Sequence, residues 1–188
     1  YDLISNHIFT NIKAMIFAGF YFKGYFSDCL LKKALKLLNK EIHEQINLDG
    51  SHCELSPMYH AIILEDLLDI LNILKTNKNI NLEIINLIIK KINPMLRWLE
   101  NMTHENNLFF FNDTCNKISN NFDILKNYAN ELNIEYFPNL NNDNYIHYFK
   151  ESGFINCKFN DFRIVFDTGD IGYKFNPGHA HADCLSFE

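Results

Sequence analysis

The chain has 188 residues, of which 47% are hydrophobic, and its formal net charge at pH 7 is −6. This length and hydrophobic content suffice for one or two buried cores, whereas an acidic chain without a basic segment argues against a nucleic-acid-binding protein. The chain contains no apolar run of about eighteen residues, so no membrane insertion is predicted.

The first two thirds of the chain predict a succession of helices. Apolar residues recur at helical spacing in five segments, which are residues 3–23, 27–46, 56–75, 81–102 and, more weakly, 120–132. Ser27 or Asp28 is expected to cap the second helix, and Pro94 is expected to kink the fourth helix or end its first half. The connections are short, which favours antiparallel helical hairpins.

The composition changes at residues 139–144, which read NLNNDN. Three short β-rich runs follow, at residues 145–149, 162–167 and 184–187. Helices followed by strands favour an α+β protein with two domains over an alternating fold, and we place the domains at residues 1–140 and 141–188. The chain begins in the middle of an apolar pattern and ends inside a predicted strand, so we expect it to be part of a longer protein.

The most informative stretch is DGSHCELSPMYH, residues 49–60. Ser56 followed by Pro57 is typical of a helix N-cap and a first helical residue, which places Tyr59 in the first turn of the third helix. The positive end of a helix dipole favours an anion there, so a modestly stabilised phenolate is expected. Five scattered cysteines without CxxC spacing predict free thiols, and nothing marks Cys53 as a nucleophile.

Two further polar clusters lie far from this stretch in sequence. Asn6 and His7 stand at the beginning of the first helix, where a capping or surface pair is the simpler interpretation. His179 and His181 alternate with small residues in the sequence GHAHAD, so both imidazoles would lie on one face of an extended segment. That arrangement suits metal ligation or substrate contact. For Tyr59 alone, a core tyrosine with a bonded hydroxyl remains an alternative.

In order along the chain, these motifs resemble the heparinase II/III and alginate-lyase group of polysaccharide lyases. The matching residues are Ser5-Asn6-His7 with Asn11 and Lys13-Ala14, then Asp49-Gly50-Ser51-His52, Glu54, Ser56-Pro57 and Tyr59-His60, and finally residues 178–183 with 185–188. The resemblance implies an incomplete (α/α) toroid of helical hairpins, followed by the beginning of an antiparallel β-sandwich.

The same resemblance implies β-elimination on an acidic, uronic-acid-containing polysaccharide. Asn6 and His7 would neutralise the substrate carboxylate, and His7 is also a candidate base. Tyr59 would act as the general acid and, in a syn elimination, also as the base. His179 would assist from the sandwich domain as a base or substrate contact.

Other residues receive supporting roles from the resemblance. His52, Glu54 and His60 would hold the segment around Tyr59, and Asn112 would line the same cleft, although a capped turn is an equally good interpretation of Asn112. His181 resembles a ligand of a structural zinc ion found in some members of the group. The remaining ligands would lie outside this chain, so no complete zinc site is expected within it.

Two alternatives remain open at this point. The first is a glycoside hydrolase on an α/α toroid, with Glu54 and Asp113 as nominal carboxylates. The second is a non-catalytic glycan-binding protein of polysaccharide biosynthesis. The resemblance implies a periplasmic or cell-envelope location, whereas the free cysteines leave the cytoplasm open. The glycan, its linkage and the oligomeric state stay undetermined.

Overall fold

The computed structural model describes residues 5–77, 82–138, 144–170, 177–180 and 186–188. Within these ranges the α-helices are α1 (Asn6–Tyr21), α2 (Tyr25–Gln45), α3 (Pro57–Lys75), α4 (Leu82–Asn101) and α5 (Phe122–Glu131). Helix α1 packs against α2 and α3, and α5 packs against both α3 and α4. None of the described helices is long and apolar enough to cross a membrane.

The strands form two antiparallel sheets. Strands β1 (Thr103–His104) and β2 (Asn107–Leu108) make a small hairpin directly after α4. Strands β3 (Tyr145–Tyr148), β4 (Phe154–Phe159) and β5 (Phe162–Asp167) form a meander in that order. Residues 186–188 pair with the free edge of β5, where the Val165 N–H donates to the Glu188 carbonyl at 2.8 Å.

Two apolar clusters hold these elements together. The larger lies between the helices, because α1, α2, α3 and α4 each place an apolar stripe at the helical period against their neighbours. The smaller joins the end of α4 to the sheet and contains Trp98, Phe111 and Phe154. The indole N–H of Trp98 donates to Ser152 Oγ at 3.2 Å, so the helical part and the sheet share a packed boundary.

Two helix features differ from the sequence-based expectation. Helix α2 begins at Tyr25, and Ser27 lies inside its first turn, where its hydroxyl donates to the Gly24 carbonyl at 2.7 Å. Helix α4 continues through Pro94 and does not end there. Its start and end agree with the prediction to within a residue. Packing on neighbouring helices outweighs the hydrogen bond that a proline removes from a helix interior.

The sheet contains more strands than the sequence indicated. Strand β4, which pairs with both β3 and β5, was not predicted, nor was the β1–β2 hairpin. In β4 the apolar and polar residues do not alternate strictly, because Asn156 is buried against the end of α4. The predicted strand at residues 184–187 is partly outside the described residues, but Phe187 does pair with Phe166.

Candidate active site

The segment between α2 and α3 places Tyr59 at the N-terminus of α3. Ser56 has extended backbone angles and its hydroxyl accepts a hydrogen bond from the Tyr59 N–H at 3.5 Å, as the sequence predicted, with Pro57 at the first helical position. The Ser56 hydroxyl also lies 3.1 Å from Thr114 Oγ1. Asn112 donates from its side-chain amide to the Leu55 carbonyl at 2.9 Å. The loop around Asn112 therefore clamps the beginning of α3.

The phenol of Tyr59 is held in its protonated form. Its side chain is half-buried, and burial together with the negative charges of Asp113 and Glu54 raises the pKa of Tyr59 above its ordinary value. This reverses the expectation of a stabilised phenolate. The helix N-terminus contributes a weak field, whereas two carboxylates and loss of water both oppose a negative charge on the ring.

Glu54, whose charge acts on Tyr59, contacts Asn6, which lies 48 residues earlier in the sequence. The side-chain nitrogen of Asn6 lies 2.8 Å from each oxygen of the Glu54 carboxylate, and the Asn6 backbone N–H donates to the same carboxylate at 3.2 Å. Burial would raise the pKa of Glu54, but His52 and the hydrogen bonds from Ser5 and Asn6 lower it below its ordinary value. Glu54 is therefore an ionised carboxylate with 2% of its surface exposed.

The neighbouring cysteine does not contribute a nucleophile. Burial raises the pKa of Cys53 to about 12, and its sulfur lies 3.5 Å from the Ser5 hydroxyl. A thiol with this pKa carries almost no thiolate at neutral pH, and thiolate is the reactive form. Cys53 is a packing residue beside the Asn6–Glu54 contact.

His52 is completely buried behind this contact. Its Nε2 lies 3.0 Å from Gln45 Oε1, and its Nδ1 accepts a hydrogen bond from the Glu54 backbone N–H at 3.4 Å. Because Gln45 in turn donates to Glu41 at 2.7 Å, its carbonyl oxygen faces the ring and His52 carries its proton on Nε2. Burial lowers the pKa of His52 to about 4, so the ring is neutral at pH 7.

His60 is a second buried, neutral histidine. Its Nδ1 accepts from the His52 backbone N–H at 3.2 Å, and its Nε2 donates to the Met95 carbonyl at 3.0 Å. The ring packs on Trp98, with 4.5 Å between the ring centroids. Burial, and to a smaller extent His52, lowers the pKa of His60 to about 3. Both ring nitrogens are occupied by the backbone, so His60 supports the fold and does not face the cleft.

The beginning of the 49–60 stretch is tied to the sheet. One carboxylate oxygen of Asp49 accepts from the backbone and the hydroxyl of Ser152, at 2.8 and 2.9 Å, and the other accepts from Ser51. Gly50 has φ +93°, and a Cβ at this position would collide with the Pro94 carbonyl. Glycine is required there because the turn lies directly against α4.

The structure brings two of the three polar clusters together. Asn6, Glu54, Tyr59 and the buried histidines form one continuous site, and His7 is exposed in the first turn of α1 beside Asn6. The third cluster is not placed: the side chain of His179 and the whole of His181 lie outside the described residues. Among the described residues, no three His, Cys, Asp or Glu side chains are grouped as metal ligands. Because His181 lies outside those residues, the zinc site stays a prediction.

Sequence reasoning missed Glu41 and Gln45, which complete the site from α2. They are 4% and 1% exposed and lie on the same helical stripe as Leu38 and Ile42. Two polar residues four positions apart on an otherwise apolar face are a usable signal, since such groups are rarely buried without a partner. The partner, His52, belongs to a loop, and its position follows only from the tertiary structure.

Comparison with known protein families assigns both parts of the chain. Residues 1–146 match the family described as "Heparinase II/III N-terminus", and residues 141–188 match "Heparinase II/III-like, C-terminal". The first match covers more than half of the chain, so the chain belongs to the heparinase II/III family. The comparison with curated proteins found no match.

Solved structures show the same fold. Heparinase III matches over 100% of this chain and 33% of its own, with a TM-score of 0.73 and 17% identity. The heparinase III BT4657 gene product matches over 98% of this chain and 30% of its own, with a TM-score of 0.71 and 22% identity. Heparan sulfate lyase HepC from Pedobacter heparinus matches over 98% of this chain and 31% of its own, with a TM-score of 0.66 and 20% identity.

The chain thus spans about a third of the length of these structures. Their likeness confirms the predicted fold class, which is part of a helical toroid followed by the start of a sheet domain. The likeness to alginate lyases in particular, and the second sheet of the sandwich, stay predictions.

Proposed function

We propose that the protein containing this chain is a polysaccharide lyase that cleaves an acidic, uronic-acid-containing glycan by β-elimination. The observation that carries the proposal is the contact between Asn6, at the start of α1, and Glu54, whose charge also acts on Tyr59 at the start of α3. Family membership supports the same class, because heparinase III and the heparan sulfate lyase HepC share the fold.

The chemistry demands three groups. The proton on C5 of the uronic acid is acidified by its neighbouring carboxylate, so donors must neutralise that carboxylate as negative charge develops on it. Asn6 supplies an amide N–H, and His7 supplies an exposed imidazole in the same turn. A base must take the C5 proton, and an acid must protonate the departing O4 oxygen.

Tyr59 suits the acid role best. A raised pKa keeps its hydroxyl protonated at neutral pH, so a proton is available for the leaving oxygen. The same raised pKa opposes its use as the base in the free protein. We therefore assign proton abstraction to His7, whose exposed imidazole lies beside Asn6 in the first turn of α1, and keep His179 as a second base or substrate contact.

Two further proposals follow from the family. His181 would contribute to a structural zinc site together with ligands from elsewhere in the protein. A periplasmic or cell-envelope location would give the enzyme access to its glycan.

The test is product formation by the full-length protein. We expect heparan sulfate, alginate or polyglucuronate to yield a 4,5-unsaturated uronate, which absorbs in the near ultraviolet. Tyr59→Phe should lower kcat by about 100-fold or more, since a positioned proton donor typically contributes that much. Tyr128→Phe is the matched control, because it removes a phenol that donates to Asp69 at 2.9 Å, outside the site. Binding of these glycans without an unsaturated product would exclude the lyase and favour a non-catalytic protein.

A glycoside hydrolase remains the second candidate because Glu54 and Asp113 both act on the same phenol. Hydrolysis requires two carboxyl groups on opposite sides of the scissile bond. The Glu54 carboxylate is already occupied by Asn6, which argues against it as a catalytic acid. A hydrolase would release reducing ends without ultraviolet absorbance and would largely retain activity in Tyr59→Phe.

A further inference from the structure

The surroundings of Asn6 hold its side-chain amide in one orientation. An asparagine amide can rotate to exchange its oxygen and nitrogen, and only the nitrogen end can donate to a substrate carboxylate. In the structure the nitrogen lies between the two oxygens of Glu54, and the adjoining backbone N–H of Asn6 reaches the same carboxylate. The amide is therefore fixed by a charged acceptor.

The alternative orientation of the amide is strongly disfavoured. Rotation would place the Asn6 side-chain oxygen where the nitrogen now lies, 2.8 Å from both oxygens of an ionised carboxylate. One charge-assisted N–H, shared between the two carboxylate oxygens, would be replaced by repulsion between oxygen atoms. The two N–H bonds of the amide also diverge too widely for one carboxylate to align with both, so the second N–H is directed away from Glu54.

Glu54 is itself held from behind by a chain of buried polar groups. Glu41 accepts from Gln45 at 2.7 Å, Gln45 accepts from His52 at 3.0 Å, and His52 accepts from the Glu54 backbone at 3.4 Å. Each member of this chain is less than 5% exposed. A buried hydrogen-bonded network with all its members paired restricts the positions that each group can adopt.

The charge of Glu54 is met mainly by neutral donors. The hydrogen bonds come from Asn6 and Ser5, and His52 is neutral at pH 7. Loss of hydration opposes a buried carboxylate, but the lowered pKa of Glu54 means that its surroundings more than offset this loss. Glu54 therefore stays ionised at neutral pH, and an ionised acceptor holds the Asn6 amide more strongly than a neutral one would.

We propose that Glu54 is a positioning residue that selects the donating orientation of Asn6, and that Gln45 and Glu41 support it through His52. The inference rests on the lyase function proposed above. It assigns to Glu54 no contact with the substrate. Its role is to present the second N–H of Asn6 to the substrate carboxylate in the geometry that the developing charge requires.

The test is a double-mutant cycle between Glu54 and Asn6 in the full-length protein, with the glycan that the wild type cleaves. We expect Asn6→Ala to lower kcat by about 100- to 1,000-fold, as for loss of one donor to a developing anion. Glu54→Gln should lower kcat by about 10- to 100-fold with little change in KM, because the orientation of the donor is lost while Asn6, His7 and Tyr59 all remain. The double variant should be no slower than Asn6→Ala alone.

The control and the contrary outcomes are defined by the structure. Glu100→Gln removes a carboxylate that accepts from the Tyr136 hydroxyl at 2.6 Å, and it should leave kcat/KM unchanged. If Glu54→Gln were as active as the wild type, the positioning role would be overturned while the lyase assignment would stand. The same conclusion would follow if the losses multiplied in the double variant. A wild type that forms no unsaturated product would overturn the lyase, and the inference with it.

If Glu54→Gln does not fold, a second variant tests the same positioning role. Gln45→Met removes the acceptor of the His52 ring and leaves both Glu54 and Asn6 in place. A few-fold loss of kcat that disappears in the Asn6→Ala background would support the same chain of contacts. An equal loss in both backgrounds would contradict it.

Discussion

Helix α1 makes one polar contact with the loop before α3 and another with α3 itself, and the two are built differently. At its N-terminus, Asn6 meets the Glu54 carboxylate, which neutral donors hold. Two turns further along, Lys13 lies 2.7 Å from Asp66 and 2.5 Å from Asp69 on α3. The first contact leaves a buried negative charge beside a half-buried phenol, whereas the second neutralises its carboxylates with a cation.

The pKa shifts follow this difference. Burial would lower the pKa of Lys13, but hydrogen bonds and charge from Asp66 and Asp69 raise it, so the ammonium persists. Burial raises the pKa of Asp66 despite Lys13. Tyr128 adds a hydrogen bond to Asp69 at 2.9 Å, which ties α5 to the same cluster. The Lys13 contact therefore holds three helices together, and the Asn6 contact orients a donor.

The largest expected effect separates the two contacts by activity. Asn6→Ala should lower lyase activity per folded molecule by about 100-fold or more, because a donor to the developing anion is lost. Lys13→Met should leave the activity per folded molecule near the wild-type value. The measurement is the initial rate of unsaturated product formation, normalised to folded protein by circular dichroism. Equal loss of activity in both variants would contradict the division of roles.

The loss of stability in acid should come mainly from the buried histidines behind the Asn6–Glu54 contact. His52 and His60 have pKa values lowered to about 4 and about 3, against 6.5 for an ordinary histidine. Below pH 6.5 these histidines bind protons in the unfolded chain but not in the folded protein. The full stability is therefore present above pH 6.5 and is lost as the pH falls towards 4. Between pH 7 and 5 we expect a loss of about 2 kcal/mol for each histidine in the free energy of unfolding.

Denaturant titrations at several pH values check this. Glutamine can accept from the His52 N–H and donate to the Met95 carbonyl, so His60→Gln should fold and show a shallower decrease in acid. Substitution of the exposed His43 by Gln is the control and should leave the acid limb unchanged. An unaltered acid limb in His60→Gln would show that other groups dominate it.

Lys13→Met tests the contact of Lys13 with Asp66 and Asp69 through the free energy of unfolding. The side chains of Lys13 and Asp66 are 27% and 8% exposed, so removing the cation leaves a nearly buried carboxylate without its partner. Breaking a fully buried pair costs more, and partial exposure reduces the expected loss to about 2 kcal/mol. Lys126→Met, which removes an exposed pair with Asp123, should change the free energy of unfolding by less than about 0.5 kcal/mol. Similar losses in the two variants would refute the contrast.

The smallest expected effect concerns the cap that holds Tyr59. Ser56→Ala should lower the free energy of unfolding by about 1 kcal/mol, as loss of a helix N-cap usually does. It should also lower lyase activity several-fold, because Tyr59 lies in the first turn. Asn121→Ala removes the cap of α5, where the side chain accepts from Ile124 N–H at 3.0 Å, and should affect stability alone. Unchanged activity in Ser56→Ala would mean that the cap does not position Tyr59.

Local signals in the sequence predicted the helices well and the sheet poorly. The Ser56-Pro57 start of α3 and the extent of α4 follow from capping chemistry and apolar spacing, which act within a few residues. Strand β4 escaped prediction because Asn156 interrupts its pattern to donate to the Asn101 carbonyl at 2.6 Å. That contact joins residues 55 positions apart, so no local pattern contains it.

The sequence by itself determined the family, the order of the helices and the candidates Asn6, His7, Tyr59 and Glu54, because motifs and periodicity are local properties of the chain. Only the tertiary structure decided how those candidates relate to each other. The charge state of a phenol and the orientation of an amide depend on burial and on neighbouring charges. For Tyr59 these charges include Asp113 and Glu54, and for Asn6 the neighbouring charge is the Glu54 carboxylate, brought close by folding.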